Sequence, residues 1–552
     1  MMNHANARQI LALTALAAIT ACSSASGTSP SLPATTSQIR PTAVNPVLAN
    51  IVGVGDSLTA GYQSDGMLGE EFPNPLQPGQ PVFPTQENGY WALVDEQASG
   101  LPISDAIARE YDGATSPLPL IKAPGINDQI IPANQPPGFN MFKADQCTYD
   151  DNFNADGYLL QQSARVRINP TSSKIRDLAV PGISLHEANT LSEPQSSTCK
   201  PLPGILGLLA TVVDQESSTF WPALRNFSGM GQGLSETAAA AKLKPSLAIV
   251  WLGANDVLKY MGSGGRFVGG DNTVGQVSGD LKQTYSTLAR SGAKVVTANL
   301  PNILRTPYFM NVTVPSTTEQ QNKVCPGFAP GAQTYLFCVW GKVAGDIPTG
   351  VRITHEIAAQ YHLATPNGCT PGSTTKPCGY LTLQGTFTAL QYWQDHNFKG
   401  LPDLDNGVPG SGLGMYYITP AFAAKVQTLN NTINQGIGEA ATSSHVPMVD
   451  VTAFFDGVAS GDKSNPYYER AYNIVPGTCC GLAYASGLVS LDGLHPSNTG
   501  YALLASYFID KINSSFGTKI TQVNVKEVYN GTRCTNIKQC YPDPYAPPHF
   551  IL

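Results

Sequence analysis

A chain of 552 residues is long enough for a large core and, by length alone, for roughly two to four domains. Only 13% of it is charged while Gly (53) and Pro (43) abound, which excludes a coiled coil or a disordered chain and points to a loop-rich globular protein. A formal net charge of −7 leaves no basic footprint and excludes nucleic acid as a partner.

The first segment reads MMNHANARQILALTALAAITACSS, with Arg8 ahead of an apolar stretch from Ile10 to Ala21. That stretch is short for a bilayer span and fits a secretory signal peptide over 1–21. Ile19-Thr20-Ala21-Cys22 resembles a bacterial lipobox, so Cys22 is expected to carry a lipid and a polar linker to follow over 22–47. Ser23 after the cysteine implies, by that resemblance, the outer membrane of a Gram-negative cell. The alternative is an ordinary signal peptide with an incidental Cys22. Either way the chain is expected to be exported.

Residues 48–56 form an apolar, β-branched run of the kind found in buried parallel strands, ending at Gly55-Asp56-Ser57-Leu58. Gly89 to Glu96 reads as helix, and 174–182 as a short strand stopped by Pro181-Gly182, with Ser184 placed to cap a helix opening at Leu185. Ser235 to Leu243 is helical, and 247–252 is a second buried strand running into Gly253-Ala254-Asn255-Asp256. Helix over 274–290, strand over 293–300, helix over 420–441, strand over 446–451 and helix over 498–514 complete the alternation. Strands alternating with helices of this length predict an α/β fold, a three-layer sandwich whose central sheet is mostly parallel.

Two stretches break that rhythm, 63–165 and 305–418, and are read as insertions in one domain over 48–518, with a tail over 519–552. The second holds a possible hairpin of Tyr380–Leu383 with Thr386–Leu390, and a separate domain there is the alternative. Beyond Cys22 ten cysteines remain, an even number suited to an oxidising compartment. Near-neighbour bridges are expected in most of the sets Cys147 and Cys199, Cys325 and Cys338, Cys369 and Cys378, Cys479 and Cys480, Cys534 and Cys540; the adjacent pair is the doubtful one. No paired C-x-x-C spacing supports a metal cluster.

The chemistry-bearing residues fall at predicted strand ends and in a turn preceding the last helix. Asp492 precedes His495 by three residues in Leu491-Asp492-Gly493-Leu494-His495-Pro496, so its carboxylate can accept the Nδ1–H and leave Nε2 for a serine hydroxyl. Ser57 offers that hydroxyl. Asn255 and the backbone N–H of Gly182 are placed to donate to an oxyanion, and open parallel sheets bind ligands at the carboxyl ends of their strands. Other sites fail. There is no Gly-x-Ser-x-Gly elbow, His355-Glu356 lacks the second histidine of a zincin, and Asp403-Leu404-Asp405-Asn406-Gly407 is followed by Gly414 where a calcium loop needs a bidentate acid, so it reads as a turn.

The blocks Gly55-Asp56-Ser57-Leu58, Asp177-Leu178-Ala179-Val180-Pro181-Gly182, Gly253-Ala254-Asn255-Asp256 and Asp492-Gly493-Leu494-His495 together resemble the GDSL/SGNH hydrolase superfamily, in its order and over most of 48–515. Asp177 stands where many members have asparagine. The resemblance implies Ser57 as nucleophile, His495 as base oriented by Asp492, and an oxyanion hole of the Ser57 and Gly182 N–H groups with the Asn255 side chain. It implies no metal and no organic cofactor, and leaves Asp256 as a structural acceptor. The superfamily spans lipases, carboxylesterases, phospholipases and carbohydrate deacetylases. A lipid-type acyl ester is the favoured substrate, because Phe387, Tyr392 and Trp393 are available for a binding wall or lid. A carbohydrate O-deacetylase, a phospholipase and an inactive surface binding protein are the alternatives.

Overall fold

A computed structural model describes residues 45–63, 66–73, 81–121, 174–190, 234–266, 270–311, 357–363, 368–396, 402–405, 407–474, 487–490 and 492–535, with short pieces at 126–127, 139–140, 168, 400 and 540–543. The proposed signal peptide, Cys22 and most of the linker lie outside them. So do the cysteine sets 147/199, 325/338 and 479/480.

Four strands make the central sheet: β1 (Ile51–Gly55), β2 (Leu247–Trp251), β3 (Lys294–Ala298) and β4 (Met448–Val449), all parallel and in the order β1-β2-β3-β4. Every residue of β1 and β2 is buried, as continuous Val, Ile and Gly runs covered on both faces require. The expected strand at 174–182 is instead an extended segment with one bridge, Gly53 to Asp177, on the outer side of β1. Gly53 N–H still donates to the Arg176 carbonyl, and the Leu178 and Val180 amides donate to Gly53 and Gly55. Pro181 cannot donate and ends the pairing. With that segment included, chain order across the sheet is 2-1-3-4-5, a doubly wound arrangement whose switch point lies beside β1.

Helices that flank this sheet include α1 (Tyr90–Ala98), α2 (Leu185–Thr190), α3 (Glu236–Lys242), α4 (Ala254–Gly262), α5 (Val274–Arg290), α6 (Pro420–Ser443), α7 (Asn498–Phe516) and α8 (Val525–Asn530). They fall on two faces. The Tyr285 hydroxyl of α5 donates to Thr297, the in-register neighbour of Val250, so α5 covers one side. Trp251, pointing the other way along β2, meets Tyr90 of α1 edge-on and Phe508 of α7. Helices α2, α3 and α6 pack with α5, and α8 with α7, which gives the three-layer α/β sandwich the sequence predicts.

Helix α1 lies within the stretch set aside as the first insertion, yet it forms one wall of the main core through Tyr90, Trp91 and Leu93. The tail set apart from residue 519 also joins that core, through Ile520, Val523, Val525, Val528 and Tyr529. The expected hairpin at 380–390 is not formed. Tyr380–Thr382 is a strand, but it pairs with Phe309–Asn311 and Tyr417–Ile418, and Leu383–Asp395 turns into helix. In that arrangement Leu383 joins the main core, and Leu381 and Ala389 a small core of their own with Ile357, Tyr361 and Tyr417. Disulfides join Cys369 to Cys378 and Cys534 to Cys540, two of the expected neighbour pairs.

Candidate active site

The sheet's carboxyl edge collects three of the four blocks. Gly55 and Trp251 are in register at the ends of β1 and β2, and the Val180 N–H donates to the Gly55 carbonyl. Ser57, Gly182 and Asn255 therefore each follow a chain end at one spot on the switch point.

Asp56 shapes the turn that carries Ser57. Its Oδ1 accepts the Leu58 N–H at 3.0 Å, its carbonyl accepts the Thr59 and Ala60 amides, and the Ser57 carbonyl accepts the Tyr62 amide. Burial pushes the Asp56 carboxyl up to about 7, against the pull of the Leu58 N–H and of His495. Below β1, Glu236 at the start of α3 accepts the Gly55 N–H at 2.7 Å, and burial drives its carboxyl well above the usual range. No motif in the sequence marks Glu236; it lies 181 positions from its partner.

The fourth block arrives from the far end of the chain. The Ser490 N–H donates to the His495 carbonyl and the Gly493 N–H to the Ser490 carbonyl, closing a tight turn before α7. Gly493 has φ +75° and lies against the Tyr308 backbone, so a side chain there meets both strain and a clash. Asp492 Oδ1 accepts the Leu494 and His495 amides, each at 2.8 Å, and Oδ2 faces His495 Nδ1 at 2.8 Å. Burial alone would raise the Asp492 carboxyl, but the facing imidazole and these donors outweigh it and hold it below the ordinary range. An ionised carboxylate only accepts, so Nδ1 carries the ring proton and Nε2 presents its lone pair. That lone pair meets Ser57 Oγ at 2.8 Å. The ring also rests on Tyr62, with centroids 4.7 Å apart. Tyr62 is itself held by the Tyr501 hydroxyl, which donates to its carbonyl.

Asn255 follows the end of β2, as the sequence suggests, and lies in the first turn of α4, whose N-cap Gly253 adopts φ +117°. Its residue is buried and its Nδ2 has no hydrogen-bond partner among the described residues. The Ser57 and Gly182 amides likewise make no hydrogen bond there. Three donors at one edge of the sheet thus have no acceptor among the described residues, and for the buried Asn255 Nδ2 that is costly unless something accepts from it. Gly182 reaches its position with φ +87°, in the left-handed region that glycine enters freely.

Helix α4 also fixes the segment after Gly182. Asp256 Oδ2 accepts the Leu185 N–H at 3.0 Å, and Lys259 pairs with both carboxylate oxygens of Glu187 at 2.7 Å. Glu187 in turn accepts the Ser184 N–H. The expected Ser184 hydroxyl cap is absent; its Oγ has no partner among the described residues, and Asp256 takes the cap's place. Burial pushes the Asp256 carboxyl up to about 6.

The profile of the GDSL-like Lipase/Acylhydrolase family matches residues 51–342, more than half of the chain. The chain belongs to that family. No curated protein and no solved structure matches it. As a GDSL-like lipase/acylhydrolase the protein is a hydrolase of esters. The family match takes in Ser57, Gly182 and Asn255 and ends well before Asp492 and His495, so the hydrogen bond between His495 and Ser57 joins that turn to the GDSL-like domain.

Proposed function

We propose that the protein is a serine ester hydrolase working through an acyl-enzyme, with Ser57 as nucleophile, His495 as general base and Asp492 as its orienting carboxylate. The observation that carries this reading is the relay from Ser57 Oγ to His495 Nε2 and from Nδ1 to Asp492, both at 2.8 Å. Ser57 Oγ attacks the ester carbonyl carbon while its proton passes to Nε2. The oxyanion that forms is taken by the Ser57 and Gly182 N–H groups and Asn255 Nδ2. His495 then protonates the leaving alcohol, and water repeats the sequence to free the acid.

The preferred substrate is an acyl ester of lipid type. The 305–418 segment supports this by its place: the Tyr308 N–H donates to the Gly493 carbonyl beside the histidine turn, and Gly414 lies against Met261 of α4. The segment thus touches the turn that carries His495 and the far end of the helix that carries Asn255. Tyr392 stacks on His396 within the same segment; the side chains of Phe387 and Trp393 lie outside the described residues. The protein is further proposed to be exported and held to a membrane by a lipid on Cys22, which the Ile10–Ala21 stretch and the two disulfides favour. In a Cys22→Ser variant the protein is expected to leave the membrane fraction.

Hydrolysis of p-nitrophenyl esters from acetate to palmitate, by wild type and Ser57→Ala, tests the central claim. A loss of about 10⁴- to 10⁶-fold in kcat is expected in the variant, with an optimum at medium or long chains in the wild type. Equal rates in both proteins would refute the nucleophile. An optimum at acetate with Ser57 essential would instead favour a deacetylase.

A further inference from the structure

We propose that His186, Asp271 and Asp280 form a binding site for one divalent cation of the zinc or manganese type, separate from the Ser57 relay. One ligand atom from each lies within 4.8 Å of the others. Asp271 precedes α5, Asp280 is on α5 and His186 is on α2, so the site spans a helix junction.

The observation that points to a ligand is Asp271 itself. The residue is 5% exposed, and its Oδ2 has no hydrogen-bond donor among the described residues. His186 does not supply one. Its Nδ1 is directed at Asp280 Oδ2, 3.0 Å away, so the imidazole hydrogen-bonds one carboxylate only, and Asp271 faces the like charges of Asp280 and Asp256, which His186 offsets in part. A buried carboxylate oxygen with no donor is costly, and a cation between two carboxylates relieves it. Lys259, the nearby ammonium of α4, is already engaged by Glu187.

The three side chains are held where they stand. Asn189 Nδ2 donates to the Asp280 carbonyl and Thr284 Oγ1 donates to Asn189 Oδ1, docking α2 on α5 beside His186. Asp256 accepts the Asp271 N–H on one oxygen and the Leu185 N–H on the other. One imidazole nitrogen with two carboxylates suits a borderline first-row ion better than magnesium or calcium, and a neutral imidazole leaves a charge of −2 for the dication to balance. His186 is largely exposed, which gives the ion a way in. Because Asp256 adjoins Asn255 and Leu185 follows Gly182 by three positions, occupancy would stiffen the supports of two proposed oxyanion donors.

The test is calorimetric titration of the chelator-treated full chain with Mn²⁺ and, separately, Zn²⁺, alongside thermal unfolding. One saturable site per chain is expected, with a rise in Tm of about 2–3 °C at metal 100-fold above Kd. His186→Ala and Asp271→Asn should each weaken binding at least ~10-fold, as loss of one of three ligands requires. Cooperative unfolding in chelator shows which variants fold, and His186→Ala, at an exposed position, keeps the test open if Asp271→Asn does not. No saturable binding of either ion, or binding unchanged in a folded variant, would overturn the site and leave an ion pair of His186 with Asp280. Ser57-dependent ester hydrolysis is measured separately, so failure here leaves the proposed relay standing.

Discussion

Replacing Asn255 by Ala deletes the buried amide donor while leaving α4 its helix. Turnover is expected to fall about 10²- to 10³-fold with KM little changed, because the interaction arises only as the oxyanion forms; steady-state kinetics on a p-nitrophenyl ester reads the split. Asp177 yields a different test. Burial foremost, with the Asp95 charge, raises its carboxyl to about 8 against the pull of the Ala179 N–H, so it is mostly a neutral acid at pH 7. A protonated carboxyl presents a carbonyl oxygen and a donor, the same pair that an asparagine amide offers. The departure from the superfamily's usual residue is therefore small in chemical terms. The sign of its pH effect follows. The folded state keeps a proton that the unfolded chain releases near 3.8, so this contribution to stability declines as pH rises from about 4 to about 8, by up to ~1.4 kcal/mol per pH unit. Urea midpoints for Asp177→Asn should fall less between pH 5 and pH 9 than those of the wild type; a parallel decline would show Asp177 to be ionised in the fold.

Among the elements, the histidine turn and the strand segment behind it are the ones most exposed to perturbation. Gly493→Ala would force a side chain into a backbone with φ +75° against Tyr308. The expected cost is about 1–3 kcal/mol of stability, with a fall in kcat as His495 shifts from Ser57; a crystal structure or imidazole NMR shifts would locate the displacement. Much of this layer was legible in the chain. The buried runs 48–56 and 247–252 and the helix 274–290 come directly from apolar continuity and 3.6-residue spacing, and three of the four blocks mark the ends of paired extended segments. The hairpin at 380–390 failed for a physical reason: Tyr380-Leu381-Thr382 has β-type residues, but its pairing partners are remote, at 309–311 and 417–418, and local pattern carries no trace of them. The first turn of α4 was hidden likewise, since Gly253 ends a strand and begins a helix at once through one left-handed residue. Glu236 could not be found by pattern, because its role is to accept one backbone amide far away in sequence.

For the molecule as a whole, the segment after residue 519 is a structural strap. Arg533 pairs with Glu96 at 2.9 Å with both side chains buried, and its other arm donates to Asn88. Asn88 donates to the Tyr541 hydroxyl, which itself bonds to the Pro84 carbonyl, and Asp543 accepts the Thr499 N–H at the start of α7. Arg533→Met leaves the Glu96 carboxyl buried without its partner, and a loss of about 3–5 kcal/mol is expected, read as a lowered Tm; an unchanged Tm would mean the strap contributes little. The strap closes over α7, the helix that follows His495.

Ser57 and His495 are 438 positions apart in the chain and 2.8 Å apart in the fold. A growing polypeptide that has emitted every strand of the sheet still has a serine with no base. With the proposed roles of Ser57 and His495, hydrolytic competence comes last, after the scaffold exists, and a product cut short before Asp492 is expected to stay inert toward esters. The order of the blocks along the chain works as a timer on the chemistry.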